Sequence, residues 1–358
     1  WGIDREGRPV SDLVPYLAVG IWFDSFQKDR AAKALEQMAG SDFRSDWGVR
    51  SHSLSNPGYD PAAYQTGSAW PVWNAGVIIG DYRRHQAVEG FRNWMSMVRL
   101  RQLDGLGPMP EVLHGHVYKR LKEGVPHQMF AETALVNGFY EGLLGLEIDV
   151  PENTVHLSPA LPPAWNELEI KRNPFGDNSF DVSLHKTQKS LQIEIDPGNN
   201  TDTRFILSPS LPAGSRVTAV TADGLRFPCE VETHPSATVP HIALPTKSGC
   251  RTIEIEHTPG LAVMPLDEEP QPGDTSRNLR IIRAGFDQGE WRMTVEGLPG
   301  REYRMNVYTD RIPQTITGAE RGETVPERFI LLLKAPAEGK VMNSGYIRWE
   351  VRMAWGGE

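Results

Sequence analysis

Cysteine is scarce in this chain, and the two that it has leave the redox compartment open. The 358 residues contain only Cys229 and Cys250. These two flank a stretch with the pattern of paired strands, so they could be joined by a disulfide, although two buried free thiols are the more common arrangement. The cysteine count therefore does not indicate where the protein works.

Long apolar runs and an excess of basic charge are also missing. No apolar run approaches the roughly 20 residues that a membrane helix needs. Lys and Arg (37) are outnumbered by Asp and Glu (46), which gives a formal net charge of -9, whereas a nucleic-acid partner favours a basic face. We expect neither a membrane nor a nucleic acid among the partners.

Three common kinds of catalytic motif are absent. The GLGP segment at Gly105 starts no helix of the phosphate-binding or dinucleotide-binding kind, which argues against phosphate chemistry. The segment SHSLS lacks the glycine frame of a serine nucleophile elbow. No HExxH motif or Cys/His spacing supports zinc, so we expect no metal and no cofactor.

The first 150 residues have the pattern of successive helices joined by polar and aromatic connections. Apolar residues recur at helical spacing, which predicts helices over about 11–26, 29–39, 70–82, 86–101 and 127–144. In the fourth of these, Val88, Phe91, Met95 and Val98 mark the expected buried stripe.

The pattern changes after Pro151. Short alternating runs such as TVHL, FDVSL and LQIEI are separated by Pro, Gly and Asn clusters, which is typical of a β-sandwich. The stretch 259–278 is rich in Pro and acidic residues and has no periodicity, which predicts a linker. We therefore expect a multidomain chain, α then β, with a helical domain at 1–150, a β-sandwich at 151–258, the linker at 259–278 and a second small β-sandwich at 279–358.

The connection from Gly105 to Gln128 is the strongest candidate for a functional segment. Long connections without regular structure are uncommon in compact domains unless they carry function. In this one the carboxylate of Glu111 lies between a proline and a valine and is followed by several hydrogen-bond donors, namely His114, His116, Tyr118, Lys119 and Arg120, and finally His127 and Gln128. A proton acceptor among so many donors indicates the rim of a polar cleft.

Three segments resemble one family of enzymes. DWGVRSHS followed by YDPAAYQTGSAWPVWN is similar to a pattern of the bacterial glycogen-debranching-type glycosidases of the amylo-α-1,6-glucosidase group. PMPEVLHG resembles the element of that family before its last barrel helix, and LSPALPPAW resembles the start of the β-sandwich that often closes such chains. The resemblance covers roughly residues 10–170 and implies a six-hairpin, (α/α)6-barrel fold, related to trehalase, glucoamylase and α-rhamnosidase.

The resemblance implies a glycoside hydrolase that acts on α-linked glucosides or related oligosaccharides with inversion. In inverting enzymes one carboxylic acid protonates the glycosidic oxygen while a second carboxylate activates a water, and the motif places this general base at Glu111. A complete barrel has twelve helices, whereas about five are predicted here. We therefore expect the C-terminal part of a barrel, with the general acid in a remaining half that belongs to the same or another chain.

Other residues of these segments are candidates for binding the carbohydrate substrate, namely Asp46, Trp47, Arg50, Trp70, Trp73, His114, His127 and Gln128. Simpler alternatives exist for several of them. Asp46 and Arg50 could form a local ion pair, and the two tryptophans of WPVW could pack in the core at the start of a helix. Asp46, with its aromatic neighbours, is also a weaker candidate for the general acid.

Two further functions remain open at this stage. A non-catalytic carbohydrate-binding or structural subunit would present the same loops without chemistry, and the missing acid supports it. The same fold could also act on rhamnose or another hexose, because a fold does not fix its substrate.

Overall fold

The computed structural model describes residues 5–7, 14–199, 202–246, 249 and 251–355. Within these ranges the protein is multidomain and mostly β-sheet. Five α-helices come first in the described chain, with a two-stranded sheet of β1 (Arg44–Ser45) and β2 (Gly48–Val49) between the second and the third, and two pairs of larger β-sheets follow.

The helical region is built around one central helix. In chain order, the helices are α1 (Leu17–Trp22), α2 (Lys28–Ala39), α3 (Pro71–Arg83), α4 (Ala87–Leu100) and α5 (Met129–Asn137). Every residue of α3 from Asn74 to Tyr82 is buried, and the helix contacts α1, α4 and α5. A helix that is apolar on all sides is expected to be surrounded in this way. Pro71 occupies the first turn of α3, where a missing backbone N–H costs nothing.

The bounds of α2, α3 and α4 lie within two residues of those that the apolar spacing predicts. The first predicted helix is shorter than expected, since α1 begins at Leu17 and ends at Trp22, and residues 11–13 lie outside the described residues. The last predicted helix is divided, because α5 ends at Asn137 and the chain continues as a π-helical turn, Gly138–Leu143.

Two glycines explain the close packing of this π-helical turn against the central helix. A Cβ at Gly142 would lie 2.9 Å from the ring of Tyr82, and one at Gly138 would lie 3.1 Å from Trp94. The backbone therefore approaches α3 and α4 more closely than a chain with side chains at these positions could.

The buried stripe of α4 differs from the predicted one. Val88, Phe91, Met95 and Val98 are only partly buried, whereas the fully buried residues include Glu89, Asn93, Met97 and Leu100. Polar residues occupy this inner stripe because each has a buried partner: Glu89 pairs with Arg44 and Arg92, and Asn93 donates to Asp81. Val88 and Phe91 instead pack against the two β-domains.

The first β-domain contains two packed sheets. Its strands are β3 (Leu146–Asp149), β4 (Thr154–Leu157), β5 (Glu167–Phe175), β6 (Asn178–Lys186), β7 (Ser190–Asp196), β8 (Arg204–Leu207), β9 (Leu211–Pro212), β10 (Val217–Ala222), β11 (Leu225–Arg226), β12 (Glu230–His234), β13 (Ala237–Ala243) and β14 (Arg251–His257). One sheet has the order β11-β10-β14-β7-β6-β5 and the other β12-β13-β8-β4-β3, with β9 paired to β13. Neighbouring strands are antiparallel except β4 and β8.

The second β-domain also contains two sheets, of four strands each. Its strands are β15 (Ala262–Pro265), β16 (Arg280–Asp287), β17 (Glu290–Gly297), β18 (Glu302–Tyr308), β19 (Thr315–Thr317), β20 (Glu320–Val325), β21 (Arg328–Lys334) and β22 (Ile347–Ala354). The sheet orders are β15-β18-β21-β20 and β16-β17-β22-β19.

Two stretches near the expected domain boundaries have regular structure. Strand β3 lies before residue 151 and pairs with β4, so the first β-domain already starts within the stretch expected to be helical. Strand β15 lies within the expected linker 259–278 and pairs with β18. A short strand whose partner lies about 40 residues later leaves no local periodicity, and for this reason the composition of the segment indicated only a linker.

The helical region and the first β-domain share one hydrophobic core. This core contains Trp47 and Ile78 from the helical region together with Phe180 and Phe205 from the sheets. The second β-domain has a separate core, to which Trp291 and Phe329 belong. The first two units therefore form one packed body, and the third must be held by other contacts.

The structure also bears on membrane-spanning helices and on the two cysteines. No helix in the described ranges is both long enough and apolar enough to cross a membrane. Cys229 carries a free thiol and is partly buried, while Cys250 lies outside the described residues.

Candidate active site

The connection between α4 and α5 is an ordered loop that is anchored by buried apolar residues. Met109, Val112 and Leu113 are fully buried. Leu113 exchanges two backbone hydrogen bonds of 2.8 Å with Ala69, and Leu121 N donates to Val112 O at 3.1 Å. The loop is therefore a narrow, backbone-paired structure packed on the segment that precedes α3.

Glu111 lies within this loop, and its carboxylate is held by three donors that carry no charge. The residue is 9% exposed. Oε1 accepts the Tyr64 hydroxyl at 2.5 Å and the Gln128 Nε2 amide at 2.7 Å, and Oε2 accepts the backbone N–H of Val125 at 3.0 Å. An ionised carboxylate can only accept hydrogen bonds, so this donor set suits the charged form. Among the described residues, no cation forms a salt bridge with Glu111.

Tyr64 is the donor that the sequence reasoning did not select. Its hydrogen bond to Glu111, together with burial, raises the pKa of the Tyr64 phenol to about 12, so it remains a donor at neutral pH. Trp70 supports it, because the indole Nε1–H donates to the Tyr64 carbonyl at 2.9 Å and the two rings meet edge to face at 4.7 Å. Its place in the YQTGSAWP segment was the only signal available in the sequence.

Gln128 immediately precedes α5 and belongs to the same cluster. Its backbone N–H donates to Met109 O at 3.0 Å, which joins the start of the helix to the entry of the loop. Its side chain donates Nε2–H to Glu111. Of the predicted binding residues, Gln128 and Trp70 are thus brought to the Glu111 carboxylate, the first directly and the second through Tyr64.

Asp46 has a different environment, although it is also buried. Its Oδ1 accepts from the Arg280 guanidinium at 2.6 Å, and its Oδ2 accepts the backbone N–H groups of Arg277 at 2.8 Å and Asn278 at 3.2 Å. All of these donors come from the segment that opens the second β-domain. The observed contacts of Asp46 are structural, and a role in sugar binding or as the general acid stays a prediction.

Trp47 and Arg50 support the other side of the loop. Trp47 is 1% exposed, packs on Tyr118 with ring centroids 5.6 Å apart, and donates its indole N–H to His114 O at 2.9 Å. Arg50 donates to Gly115 O at 2.7 Å, and burial lowers its pKa from the ordinary value. Both side chains bind backbone carbonyls of the loop, so their polar groups hold its position.

The three histidines and Trp73 do not converge on Glu111 through any described contact. His114 Nδ1 accepts the backbone N–H groups of His116 and Val117, and burial, with the charge of Lys119, lowers the pKa of His114. His127 is exposed and lies 3.3 Å from the carboxylate of Glu132. Trp73 meets Tyr16 edge to face at 4.9 Å, where α3 contacts the segment before α1.

The segment leading into the second β-domain pairs with the Glu111 loop. Tyr118 N donates to Asp274 O at 2.8 Å, and Gly273 N donates to Tyr118 O at 3.0 Å. Arg92 binds both oxygens of Asp267 at 2.7 and 2.8 Å. This segment, 266–278, therefore acts as a brace behind the loop, and we call it the brace segment.

A metal centre is not formed by the described part of the chain. No group of three or more His, Cys, Asp or Glu side chains there is arranged to hold a metal ion.

Comparison with known proteins gives structural neighbours but no family. No protein-family model matches the chain, and no curated protein matches its sequence. Among solved structures, it is similar to an α-L-rhamnosidase from Dictyoglumus thermophilum, with 10% identity, a TM-score of 0.43, and coverage of 68% of this chain and 25% of that chain.

Two further neighbours are also glycoside hydrolases. One is Ara127N-Se, a GH127 β-L-arabinofuranosidase from Geobacillus stearothermophilus T6, with 10% identity, a TM-score of 0.35, and coverage of 94% of this chain and 58% of that chain. The other is described as a glycoside hydrolase, with 9% identity, a TM-score of 0.29, and coverage of 79% and 50%. This chain thus spans about a quarter to somewhat over half of these proteins. TM-scores this low establish no common fold.

Proposed function

We propose that this chain carries the general base of an inverting glycoside hydrolase and that Glu111 is this base. The observation that carries the proposal is the buried Glu111 carboxylate with three uncharged donors and no cation among the described residues. A carboxylate of this kind keeps its negative charge uncompensated, so it can take a proton from a water that attacks the anomeric carbon.

The reaction needs a second carboxyl group as the acid. In an inverting mechanism the water oxygen bonds to the anomeric carbon, its proton passes to the base, and the departing glycosidic oxygen is protonated by a carboxylic acid on the opposite face. We propose that the acid belongs to the remaining part of an (α/α)6 barrel, supplied by the same or another chain.

Exposed apolar side chains of the helical region support this incomplete barrel. Met129 and Phe130 directly follow Gln128 and are 86% and 70% exposed, and Phe23 after α1 is 68% exposed. Large exposed apolar groups in clusters mark interaction sites, and further helices would cover them. Intact-mass measurement of the native material tests this arrangement: a second polypeptide, or a mass well above 40.0 kDa, is expected, and a single species of that mass contradicts it.

The substrate class proposed is α-linked glucosides or related oligosaccharides, with rhamnosides and other hexosides as the alternatives. The test is hydrolysis of a panel of such glycosides by the complete native protein and by its Glu111→Gln variant. The exchange keeps the size of the side chain but removes the base, so we expect kcat to fall about 10²- to 10⁴-fold. Glu123→Gln, in the same loop and exposed, is the matched control and should keep full activity.

A non-catalytic carbohydrate-binding subunit is the second candidate. It is favoured by the size of the helical region, which has five α-helices in the described ranges where a complete barrel has twelve. If the native protein binds oligosaccharides in calorimetry but hydrolyses none of the panel, this second function replaces the first.

A further inference from the structure

The two carboxylate oxygens of Glu111 have different surroundings. Oε1 accepts two hydrogen bonds, from the Tyr64 hydroxyl and from Gln128 Nε2. Oε2 accepts one from the described residues, the backbone N–H of Val125. Each oxygen of a carboxylate offers two acceptor positions, so Oε1 is fully used and Oε2 retains one position.

A buried glycine lies beside Oε2. A Cβ at Gly124 would lie 2.5 Å from Val112 Cγ1 and 3.6 Å from Oε2. The first distance is too short for a side chain, so any larger residue at position 124 would displace Val112 and alter the loop that carries Glu111.

The orientation of Gln128 is determined by Glu111. Because the carboxylate only accepts, the amide must present Nε2 to it. The consequence is that the buried Gln128 Oε1 accepts no hydrogen bond from the described residues. An unpaired buried acceptor is unfavourable, so the amide is kept in this orientation at a cost to the rest of its hydrogen bonding.

The backbone of Tyr64, like that of Gln128, is held by hydrogen bonds. Trp70 donates to the Tyr64 carbonyl at 2.9 Å, and Ser68 donates to the same oxygen at 2.5 Å. The tyrosine backbone is thus fixed by two donors while its hydroxyl reaches Glu111. Both donors to Oε1 therefore come from anchored segments, one before α3 and one at the start of α5.

We propose that Tyr64 and Gln128 are positioning residues that hold Oε1 of Glu111, so that Oε2 is the oxygen that takes the proton of the attacking water. This inference rests on the proposed function. In the step, one O–H bond of the water breaks and its proton passes to Oε2, while the water oxygen forms the bond to the anomeric carbon. The bond from that carbon to the glycosidic oxygen breaks, and the acid of the barrel's remaining part protonates the leaving oxygen.

The test uses Tyr64→Phe and Gln128→Met in the complete native protein. Each exchange removes one donor to Oε1 and keeps most of the side-chain volume. We expect kcat to fall about 10- to 100-fold, because a misplaced group can cost about 10²-fold, while KM stays within about twofold of its original value. Tyr140→Phe, which alters a tyrosine away from Glu111, is the matched control and should leave kcat unchanged.

Two further experiments distinguish a positioning role of Tyr64 from an effect on the stability of the whole protein. In the Glu111→Gln background, Tyr64→Phe should cause no further loss of kcat, since residues that act through one group are not additive. In protein labelled with ¹³Cζ-tyrosine, the resonance of Tyr64 is identified as the one that disappears in Tyr64→Phe. This Tyr64 resonance should change its chemical shift in Glu111→Gln. An unshifted resonance would show that the contact is absent and would overturn the inference.

The remaining outcomes distinguish the two proposals. If Glu111→Gln abolishes hydrolysis while Tyr64→Phe and Gln128→Met keep the original kcat, the positioning inference is wrong and the proposed function stands. If Glu111→Gln hydrolyses glycosides at the original rate, the proposed function is wrong. The positioning inference is then wrong as well, because it depends on Glu111 acting as the base.

Discussion

Glu111 and Asp46 are both buried acids of the helical region, and their surroundings differ in one decisive respect. Glu111 accepts from a phenol, an amide and a backbone N–H, all supplied by residues within 47 positions of it. Asp46 accepts from the Arg280 guanidinium and from two backbone amides, with partners more than 230 positions away. One carboxylate keeps an uncompensated charge, and the other has its charge neutralised.

This difference favours different tasks for the two acids under the proposed function. A buried carboxylate paired with a guanidinium holds two units of structure together, and losing either partner leaves an uncompensated buried charge. Burial opposes the charge of Arg280, but Tyr346 and Asp46 more than offset it and raise the arginine's pKa above the ordinary value. The Asp46 pair thus attaches the second β-domain, while Glu111 is left available for a proton.

The largest expected effect is a loss of stability when the charge of Asp46 is removed. Asp46→Asn removes the charge that faces Arg280, whose side chain is 2% exposed, and should lower the unfolding free energy by about 3–5 kcal/mol. Glu111→Gln leaves no buried charge unpaired. Its amide has one acceptor oxygen instead of two, so one donor loses its partner and the unfolding free energy should fall by only about 1–2 kcal/mol. Urea unfolding of both variants in the complete protein measures the contrast.

A double variant provides the control for this stability prediction. Asp46→Asn together with Arg280→Met removes both charges, while the Asn oxygen can still accept the backbone N–H groups of Arg277 and Asn278. Because no buried charge is then left unpaired, this variant should recover most of the loss. If the double variant is as unstable as Asp46→Asn alone, the ion pair is not the reason for the instability.

A smaller effect concerns the brace segment. Gly273 has φ +96° and a Cβ there would meet no atom within 4 Å, so Gly273→Ala adds backbone strain alone, of about 1–2 kcal/mol. Because Gly273 pairs with Tyr118 of the Glu111 loop, we expect kcat to fall as well. Gly224→Ala, with φ +76° and equally open space, should lose similar stability but keep kcat. Equal activity in both variants would show that the brace does not support the loop.

The smallest expected effect concerns Trp70. Trp70→Phe keeps an aromatic ring against Tyr64 but removes the indole N–H that donates to the Tyr64 carbonyl. The loss of one such bond is worth about 1 kcal/mol, so kcat should fall several-fold and less than in Tyr64→Phe. Steady-state kinetics of the two variants side by side tests this order, and a larger loss in Trp70→Phe would place the tryptophan against the substrate itself.

Local patterns were sufficient to predict helices α2, α3 and α4 and to select the loop of Glu111 as a candidate. Helices α2, α3 and α4 could be predicted because an amphipathic or continuously apolar helix repeats its signal within a few residues. Glu111 was selected as a candidate catalytic residue because proline, histidine and basic residues surround it within one short connection. Both signals are carried by neighbours in the sequence.

Long-range contacts explain what the sequence could not show. The polar stripe of α4 is buried because Arg44 and Asp81 lie opposite it, and the role of Asp46 depends on Arg280, 234 positions later. Tyr64 was overlooked because nothing in its neighbourhood indicates that its hydroxyl reaches Glu111. Such pairings are formed by the fold and leave no periodic trace in the chain.

The measurement that tests the central claim most directly is the configuration of the sugar released first. The complete native protein would be given the glycoside that it cleaves best, and the anomeric proton followed by NMR before mutarotation. If Glu111 activates a water for direct displacement, the new sugar has the anomeric configuration opposite to that of the substrate. Release of a sugar with the same configuration would mean that a covalent intermediate forms, and would contradict the role of Glu111 as the base of an inverting enzyme.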